Sequence, residues 1–124
     1  MKSISILYDV QHFELCGLVE DSVAILEEKT GNRIDMKICD GYLLLDHLKE
    51  KPDYDLVIMH VSREENAHRQ ARRCREISKA PIVAESSSYP YGRKEILETF
   101  DGYTGLLFKE NNLESVLIRF GFLS

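Results

Sequence analysis

The chain lacks a long hydrophobic run, a paired cysteine motif and an excess of positive charge. No apolar stretch approaches transmembrane length, and Met1 leads almost directly into a predicted strand, so we expect neither a membrane span nor a signal peptide. Cys16, Cys39 and Cys74 are scattered without C-x-x-C spacing, which is typical of reduced thiols in a cytoplasmic protein. The formal net charge of −5 argues against nucleic acid or an anionic membrane as the main partner.

The size and composition are those of one globular domain covering residues 1–124. Of the 124 residues, 44% are hydrophobic and 30% are charged, which is ordinary for a soluble fold with its own core. We find no linker, internal repeat or low-complexity segment. We therefore expect either a stand-alone domain or the amino-terminal part of a longer protein.

Strand and helix patterns alternate through the first half of the chain. The first strand includes Ile4, Ile6 and Leu7 and ends at Asp9; the helix after it has an apolar stripe that stops at Gly31. This predicted stripe consists of Leu15, Leu18, Val19, Val23 and Leu26. In the second strand, Ile34–Ile38, apolar and charged residues alternate, which is typical of an edge strand. Asp40 caps a short helix that Pro52 ends, and the four apolar residues Leu56–Met59 indicate a fully buried third strand.

The same alternation continues to the end of the chain. Ser62–Glu65 forms a capping box for a third helix, whose apolar stripe is Ala67, Ala71, Cys74 and Ile77. The remaining predicted elements are a fourth strand (Pro81–Ala84), a polar loop (Ser86–Gly92), a fourth helix (Arg93–Phe100), a fifth strand (Gly105–Phe108) and a last helix (Leu113–Phe120). This order predicts an α/β fold, a doubly wound parallel sheet of five strands with helices on both faces.

Four polar side chains follow the predicted strands: Asp9, His60, Ser86 and Lys109. The carboxyl ends of parallel strands meet at one edge of the sheet, where ligands bind in open α/β folds. We therefore expect these four side chains to converge on one site. In that site we expect Lys109 to form a structural ion pair with Asp9.

Four segments carry a resemblance to a known family. Ile6–Asp9, Asp55–Val61, Pro81–Ser86 and Gly102–Lys109 occur in the order and spacing of the receiver domains of two-component response regulators. The resemblance covers nearly the whole chain and implies the flavodoxin-like strand order 2-1-3-4-5. The third helix is also similar to that of receivers that precede LytTR-type DNA-binding domains.

The departures from the family pattern concern its phosphorylation chemistry. His60 stands where the family has its phosphorylated aspartate, Val10 where a second acid is usual, and Leu106 where a switch aromatic is usual. Glu110 follows Lys109 in place of the usual proline. Receiver phosphorylation requires Mg²⁺, a hard cation that demands oxygen ligands. The resemblance therefore implies an atypical receiver, or pseudo-receiver, with no aspartyl phosphorylation, no bound metal or cofactor and no enzymatic activity.

His60 and Ser86 allow several interpretations. His60 fills the vacated pocket by hydrogen bonding to Asp9 or Ser86, or it senses pH or accepts a phosphoryl group, or it binds a transition metal together with Asp9 and Cys39. Ser86 belongs to a polar loop, or it is a nucleophile with His60 as its base. A G-x-S-x-G motif, which would support the nucleophile, is missing.

We expect this domain to signal through protein–protein contact, with an attached C-terminal effector domain or a separate protein. The face that receivers commonly use implies a homodimer or effector interface on the fourth helix, fifth strand and last helix. Its candidate residues are Ile96, Phe100, Leu106, Phe108, Val116 and Phe120. The arginines of the third helix form a solvated face, or they contact a partner protein or a nucleic acid.

Two other functional classes compete with this interpretation. One is a ligand- or pH-switched regulator that uses the site around His60. The other is a small flavodoxin-like enzyme, which is disfavoured because the residues after the first strand, Asp9–His12, do not form a Ser/Thr/Gly-rich phosphate loop.

Overall fold

Five strands and four α-helices have bounds in the part of the chain that the structure describes. The structure is a computed structural model that describes residues 3–10, 13–61, 64–86, 98–109 and 111–124, without the side chains of residues 64–66. The strands are β1 (Ser3–Asp9), β2 (Arg33–Cys39), β3 (Leu56–His60), β4 (Ile82–Glu85) and β5 (Gly102–Thr104). The helices are α1 (Cys16–Thr30), α2 (Leu44–Glu50), α3 (Glu64–Ile77) and α4 (Asn112–Arg119).

The strands form one parallel sheet in the order β2-β1-β3-β4-β5. This is the predicted order 2-1-3-4-5. The buried third strand lies in the middle of the sheet, between β1 and β4. β2, with its alternating charges, lies at an edge, as the sequence pattern predicts.

Each face of the sheet has its own hydrophobic core. On one face, α1 and α4 pack against Ile6, Tyr8, Ile58 and Val83. On the other face, α2 and α3 pack against a second set of strand residues that includes Leu7, Val57 and Met59. Successive strand side chains point to opposite faces, so β1 and β3 contribute to both cores in turn. The predicted doubly wound fold is confirmed.

The predicted helix boundaries are largely confirmed in the first half of the chain. Gly31 adopts a left-handed conformation (φ 73°), and its N–H donates to the carbonyl oxygen of Glu27, closing α1. The Asp40 side chain accepts from the N–H of Tyr42 at 2.9 Å and caps the 3₁₀ turn Gly41–Leu43 that precedes α2. Leu18 is exposed, so its assignment to the apolar stripe was wrong. Val19 is buried in the core, and its neighbour Leu18 is rotated by about 100° around the helix axis, which directs Leu18 toward solvent.

The fifth strand is not where the apolar pattern predicts it. β5 is Gly102–Thr104, and the predicted strand Gly105–Phe108 instead contributes to a turn in which Lys109 N–H donates to Leu106 O at 3.1 Å. Leu107 of that turn is buried in the core, which accounts for the hydrophobic run. Lys109 therefore lies well beyond the end of the sheet, in an exposed position.

Some predicted features lie outside the described residues. They are the Ser62 and Glu65 side chains of the capping box, most of the polar loop Ser86–Gly92, and most of the predicted fourth helix, including Ile96. The helix labelled α4 is thus the predicted last helix. Among the described helices, none combines the length and apolar character needed to cross a bilayer.

Candidate functional site

The site is built where β3 and β4 end side by side at the carboxyl edge of the sheet. The register of these strands places His60 opposite Glu85. Because strand side chains alternate, His60 shares a face with Ile58, and Glu85 shares that face with Val83. Tyr8 of β1 belongs to the same core. Three polar side chains from three adjacent strands are thus directed to the α1/α4 side of the sheet.

Glu85 is the centre of this arrangement. It is fully buried (0% exposed), and its carboxylate meets three hydrogen-bonding groups. The Tyr8 hydroxyl donates to Oε2 at 2.6 Å, and the backbone N–H of Leu107 donates to the same oxygen at 2.8 Å. Nδ1 of His60 lies 3.1 Å from Oε1 and donates to it in the tautomer that carries the proton on Nδ1. A buried carboxylate is tolerated when its oxygens are satisfied in this way.

We call these four residues (Tyr8, His60, Glu85 and Leu107) the Glu85 network. Burial, followed by the negative charge of Glu85, raises the pKa of the Tyr8 phenol far above its ordinary value, so the hydroxyl stays protonated and donates. The network connects β1, β3 and β4 to the turn after β5. It therefore fixes the position of that turn relative to the sheet.

Asp9 lies on the other face of the sheet, because it alternates with Tyr8. The residue is 8% exposed, and its carboxylate packs over Gly41, where an added Cβ would lie 3.0 Å from Oδ2. Burial raises the pKa of Asp9 to about 7; the nearby His60 lowers this pKa, whereas Asp40 and Glu85 raise it. The predicted ion pair between Asp9 and Lys109 was wrong: none of the ion pairs between described residues joins them, since Lys109 lies in the exposed turn after β5.

The structure thus brings together only part of the predicted site. The His60 side chain is 6% exposed and fills the end of β3, but it pairs with Glu85 and not with Asp9 or Ser86. Ser86 directly follows β4, and its N–H donates to the carbonyl oxygen of Thr104 at 3.0 Å. Cys39 is buried, which raises the pKa of its thiol to about 12. Within the described ranges, no group of three His, Cys, Asp or Glu residues is placed to hold a metal ion.

The candidate interface residues divide into three groups. Phe100 and Val116 are buried in the two cores, so their assignment to a contact surface was wrong. Leu106, Phe108 and Phe120 are partly buried, and the latter two pack against the α1/α4 core. Ile96 lies outside the described residues.

Similar folds are found among solved structures, whereas no protein-family model and no curated protein matches the sequence. A CheY-like response regulator receiver domain from Methylobacillus flagellatus superposes with a TM-score of 0.67 at 19% identity, over 97% of this chain and 98% of that one. The N-terminal domain of a response regulator/sensory box/GGDEF 3-domain protein from Carboxydothermus hydrogenoformans has a TM-score of 0.58 at 20% identity, over 96% and 90% of the two chains. The chain has the receiver fold.

The same fold also occurs in proteins with other descriptions. A putative pilus assembly protein from Burkholderia thailandensis has a TM-score of 0.63 at 10% identity, over 97% of this chain and 98% of that one. The receiver fold alone therefore does not decide the chemistry of the site.

The side chains at the carboxyl edge of the sheet do not provide the set of oxygen ligands that Mg²⁺ requires. Asp9 supplies one carboxylate, while both oxygens of Glu85 already face N–H and O–H donors. His60 supplies ring nitrogens, and Mg²⁺ binds oxygen ligands with near-octahedral geometry.

Sequence analysis missed Glu85 and Tyr8 as members of the site. Both carry a signal in the alternation of their strands. Counting by two from Val83 and from Ile58 places Glu85 and His60 on one face, and the same count from Ile6 places Tyr8 there. A charged residue at the end of an otherwise apolar strand requires a polar partner when it is buried. The alternation of the neighbouring strands identifies His60 and Tyr8 as the candidate partners of Glu85.

Proposed function

We propose that this chain is a receiver-like signalling domain whose output does not depend on phosphorylation at the sheet edge. It acts through protein–protein contact and regulates an attached or separate effector; it is not an enzyme. The observation that supports this proposal is the Glu85 network, in which a buried imidazole takes the position of the family's phospho-acceptor.

The chemistry of His60 supports the same proposal. An acyl phosphate forms on a carboxylate oxygen, which His60 does not have. Phosphoryl transfer to an imidazole needs a ring nitrogen that a phosphodonor reaches, whereas the His60 side chain is 6% exposed and its Nδ1 faces Glu85. The network also holds the Leu107 backbone in place without any added group. We therefore propose that the turn after β5 has one fixed arrangement.

Beryllofluoride with Mg²⁺, a mimic of the phosphoryl group, tests this proposal on the ¹⁵N-labelled chain. We expect the amide signals of His60, Ser86 and Leu107 to stay in place. The variant Glu85→Gln is the matched control, because loss of the negative charge at Oε2 should shift the Leu107 amide and show that this signal reports on the site. Saturable, Mg²⁺-dependent shifts in the unmodified chain would overturn the proposal.

The proposed partner surface is the side of the sheet formed by β5 and α4. The Arg119 guanidinium donates to Tyr103 O at 2.9 Å, so α4 contacts β5 at this edge of the sheet. Leu106 and Phe108, in the turn between them, are partly buried. We propose that a second copy of the chain or an effector binds there. A LytTR-type DNA-binding domain is the effector that the resemblance of α3 suggests.

Light scattering after size-exclusion chromatography tests the dimer. We expect a dimer that Arg119→Glu dissociates. The control Arg33→Glu changes the same charge at the opposite edge of the sheet and should leave the dimer intact. A monomer at high concentration, or equal dissociation by both variants, would contradict a dimer through this face.

We propose a cytoplasmic location for this domain. Cys16, Cys39 and Cys74 are all free, and Cys39 and Cys74 are buried. Reduced, buried thiols fit the reducing environment of the cytoplasm.

A pH-switched regulator is a second candidate, favoured by the environment of Asp9. Burial places the pKa of Asp9 at about 7, so its charge changes near neutral pH. The groups acting on it are His60 on β3, Asp40 after β2 and Glu85 on β4. NMR titration of the Asp9 carboxyl carbon should give a midpoint near 7; a midpoint near the ordinary value of about 4 would remove this candidate.

A further inference from the structure

A cleft of about 430 Å³ lies between α3 and the turn that joins β2 to α2. This is the size of pockets that hold small molecules. The cleft is lined from the α2 side by Gly41, Tyr42 and Leu45, and from the α3 side by Arg69, Gln70 and Arg73.

A hydrogen bond fixes the two sides of the cleft relative to each other. Nε2 of Gln70 donates to the carbonyl oxygen of Gly41 at 2.7 Å. Gly41 in turn packs against the Asp9 carboxylate, so its position is set from both directions. The hydrogen bond therefore holds α3 and the turn before α2 together across the cleft.

Two arginines give the α3 side a local positive charge in an acidic chain. Arg69 and Arg73 are four residues apart on a helix, so they lie on the same side, one turn apart. Both are exposed, and neither takes part in an ion pair between described residues, whereas Arg75 on the same helix pairs with Asp101. Guanidinium groups bind phosphate oxygens through paired N–H donors, and two of them on one side suit a phosphate group.

Among the described residues that line the cleft, Asp40 is the only acidic one. The Asp40 carboxylate accepts from the N–H of Tyr42 at 2.9 Å, as the cap of the turn. Asp40 belongs to the segment between β2 and α2, whereas Arg69 and Arg73 belong to α3.

Tyr42 supplies the opposite wall. Its side chain is 94% exposed, which is unusual for an aromatic ring because burial of its apolar surface would be favourable. An exposed ring beside a positively charged cleft is the arrangement with which proteins stack planar bases. Leu45, partly buried next to it, adds apolar contact area.

We propose that this cleft binds a nucleoside phosphate, with the phosphate on Arg69 and Arg73 and the base on Tyr42. The proposal goes beyond the signalling function above and does not depend on it. It adds a ligand site next to Asp9 but separate from the Glu85 network.

An NMR titration of the full chain with GMP and AMP tests the proposal, with guanosine and inorganic phosphate as partial probes. We expect at least one nucleotide to shift the amides of Gly41, Tyr42 and Gln70 in a saturable way. Each partial probe should bind about tenfold more weakly, because it engages only one of the two walls. An acidic peptide tests the alternative that the arginines bind a protein segment.

Variants separate the proposed site from general charge attraction. Arg69→Gln combined with Arg73→Gln should raise the nucleotide Kd about tenfold or more, and Tyr42→Ser should raise it several-fold. Arg72→Gln is the matched control, because Arg72 is an exposed arginine of α3 that does not line the cleft; it should leave the Kd unchanged. The proposal fails if neither nucleotide gives saturable shifts, if phosphate or the acidic peptide binds as tightly, or if Arg72→Gln weakens binding equally.

Discussion

The hydroxyl of Tyr8 offers a precise test of the Glu85 network. Tyr8→Phe removes one donor and leaves the buried ring in the α1/α4 core. The lost hydrogen bond is short, at 2.6 Å, and its acceptor is a fully buried carboxylate. Hydrogen bonds to charged groups contribute about 1.5–3 kcal/mol, so we expect the free energy of unfolding to fall by about 2 kcal/mol.

Urea unfolding measures this change against a matched control. Tyr54 is only partly buried; its ring contacts the Lys51 ammonium at 4.6 Å, and its hydroxyl makes no hydrogen bond within the described part of the chain. Tyr54→Phe should therefore change stability by less than about 0.5 kcal/mol. Combined with Glu85→Gln, Tyr8→Phe should show a coupling energy of about 1–2 kcal/mol. Equal effects of the two Tyr→Phe changes, or strictly additive effects with Glu85→Gln, would refute the network.

Three further predictions concern single positions. The raised pKa of Asp9 keeps its carboxyl protonated in the folded chain at pH values where the unfolded chain has already ionised. As the pH rises from 5 to 7, the free energy of unfolding should therefore decrease by at most about 1.4 kcal/mol per pH unit. Asp9→Asn should flatten this decrease when urea unfolding is measured across the same pH range. Gly31→Ala should lower the free energy of unfolding by about 1 kcal/mol, because Gly31 has a positive φ. Gly17 lies in α1 with open space around it, so Gly17→Ala should instead stabilise the chain in the same thermal-unfolding assay. Gly41→Ala should shift the Asp9 carboxyl signal in NMR spectra, since the new Cβ would lie 3.0 Å from Oδ2; an unchanged signal would show that the two groups are not in contact.

Local patterns predict most of this fold because each strand carries its own signal. The apolar run of β3 indicates a central strand, and the alternating charges of β2 indicate an edge strand; both lie where these patterns predict. The pattern fails at β5, since the hydrophobic residue Leu107 is buried by a turn and not by a strand. The short β5 instead contains Gly102, whose missing side chain leaves space for the ring of Phe120, and no local pattern shows this contact.

The site was predicted less completely than the fold because its contacts join distant parts of the chain. His60 is correctly predicted at the end of β3, and its departure from the family pattern is visible in the sequence alone. The register between β3 and β4 determines that Glu85 is the residue that pairs with His60. The third hydrogen-bond donor to Glu85 is the backbone N–H of Leu107. A backbone donor leaves no trace in residue identity, so only the structure reveals it.

The central proposal is that this chain is not phosphorylated at this edge of the sheet, because the buried His60–Glu85 pair occupies the position of the family's phospho-acceptor. Its most direct test is intact-mass spectrometry after incubation with acetyl phosphate and Mg²⁺, with a phosphorylatable receiver domain in the same tube as positive control. The account predicts that the control gains a phosphoryl group and that this chain does not. A stable, Mg²⁺-dependent phosphoryl group on this chain, absent from the His60→Gln variant, would contradict it.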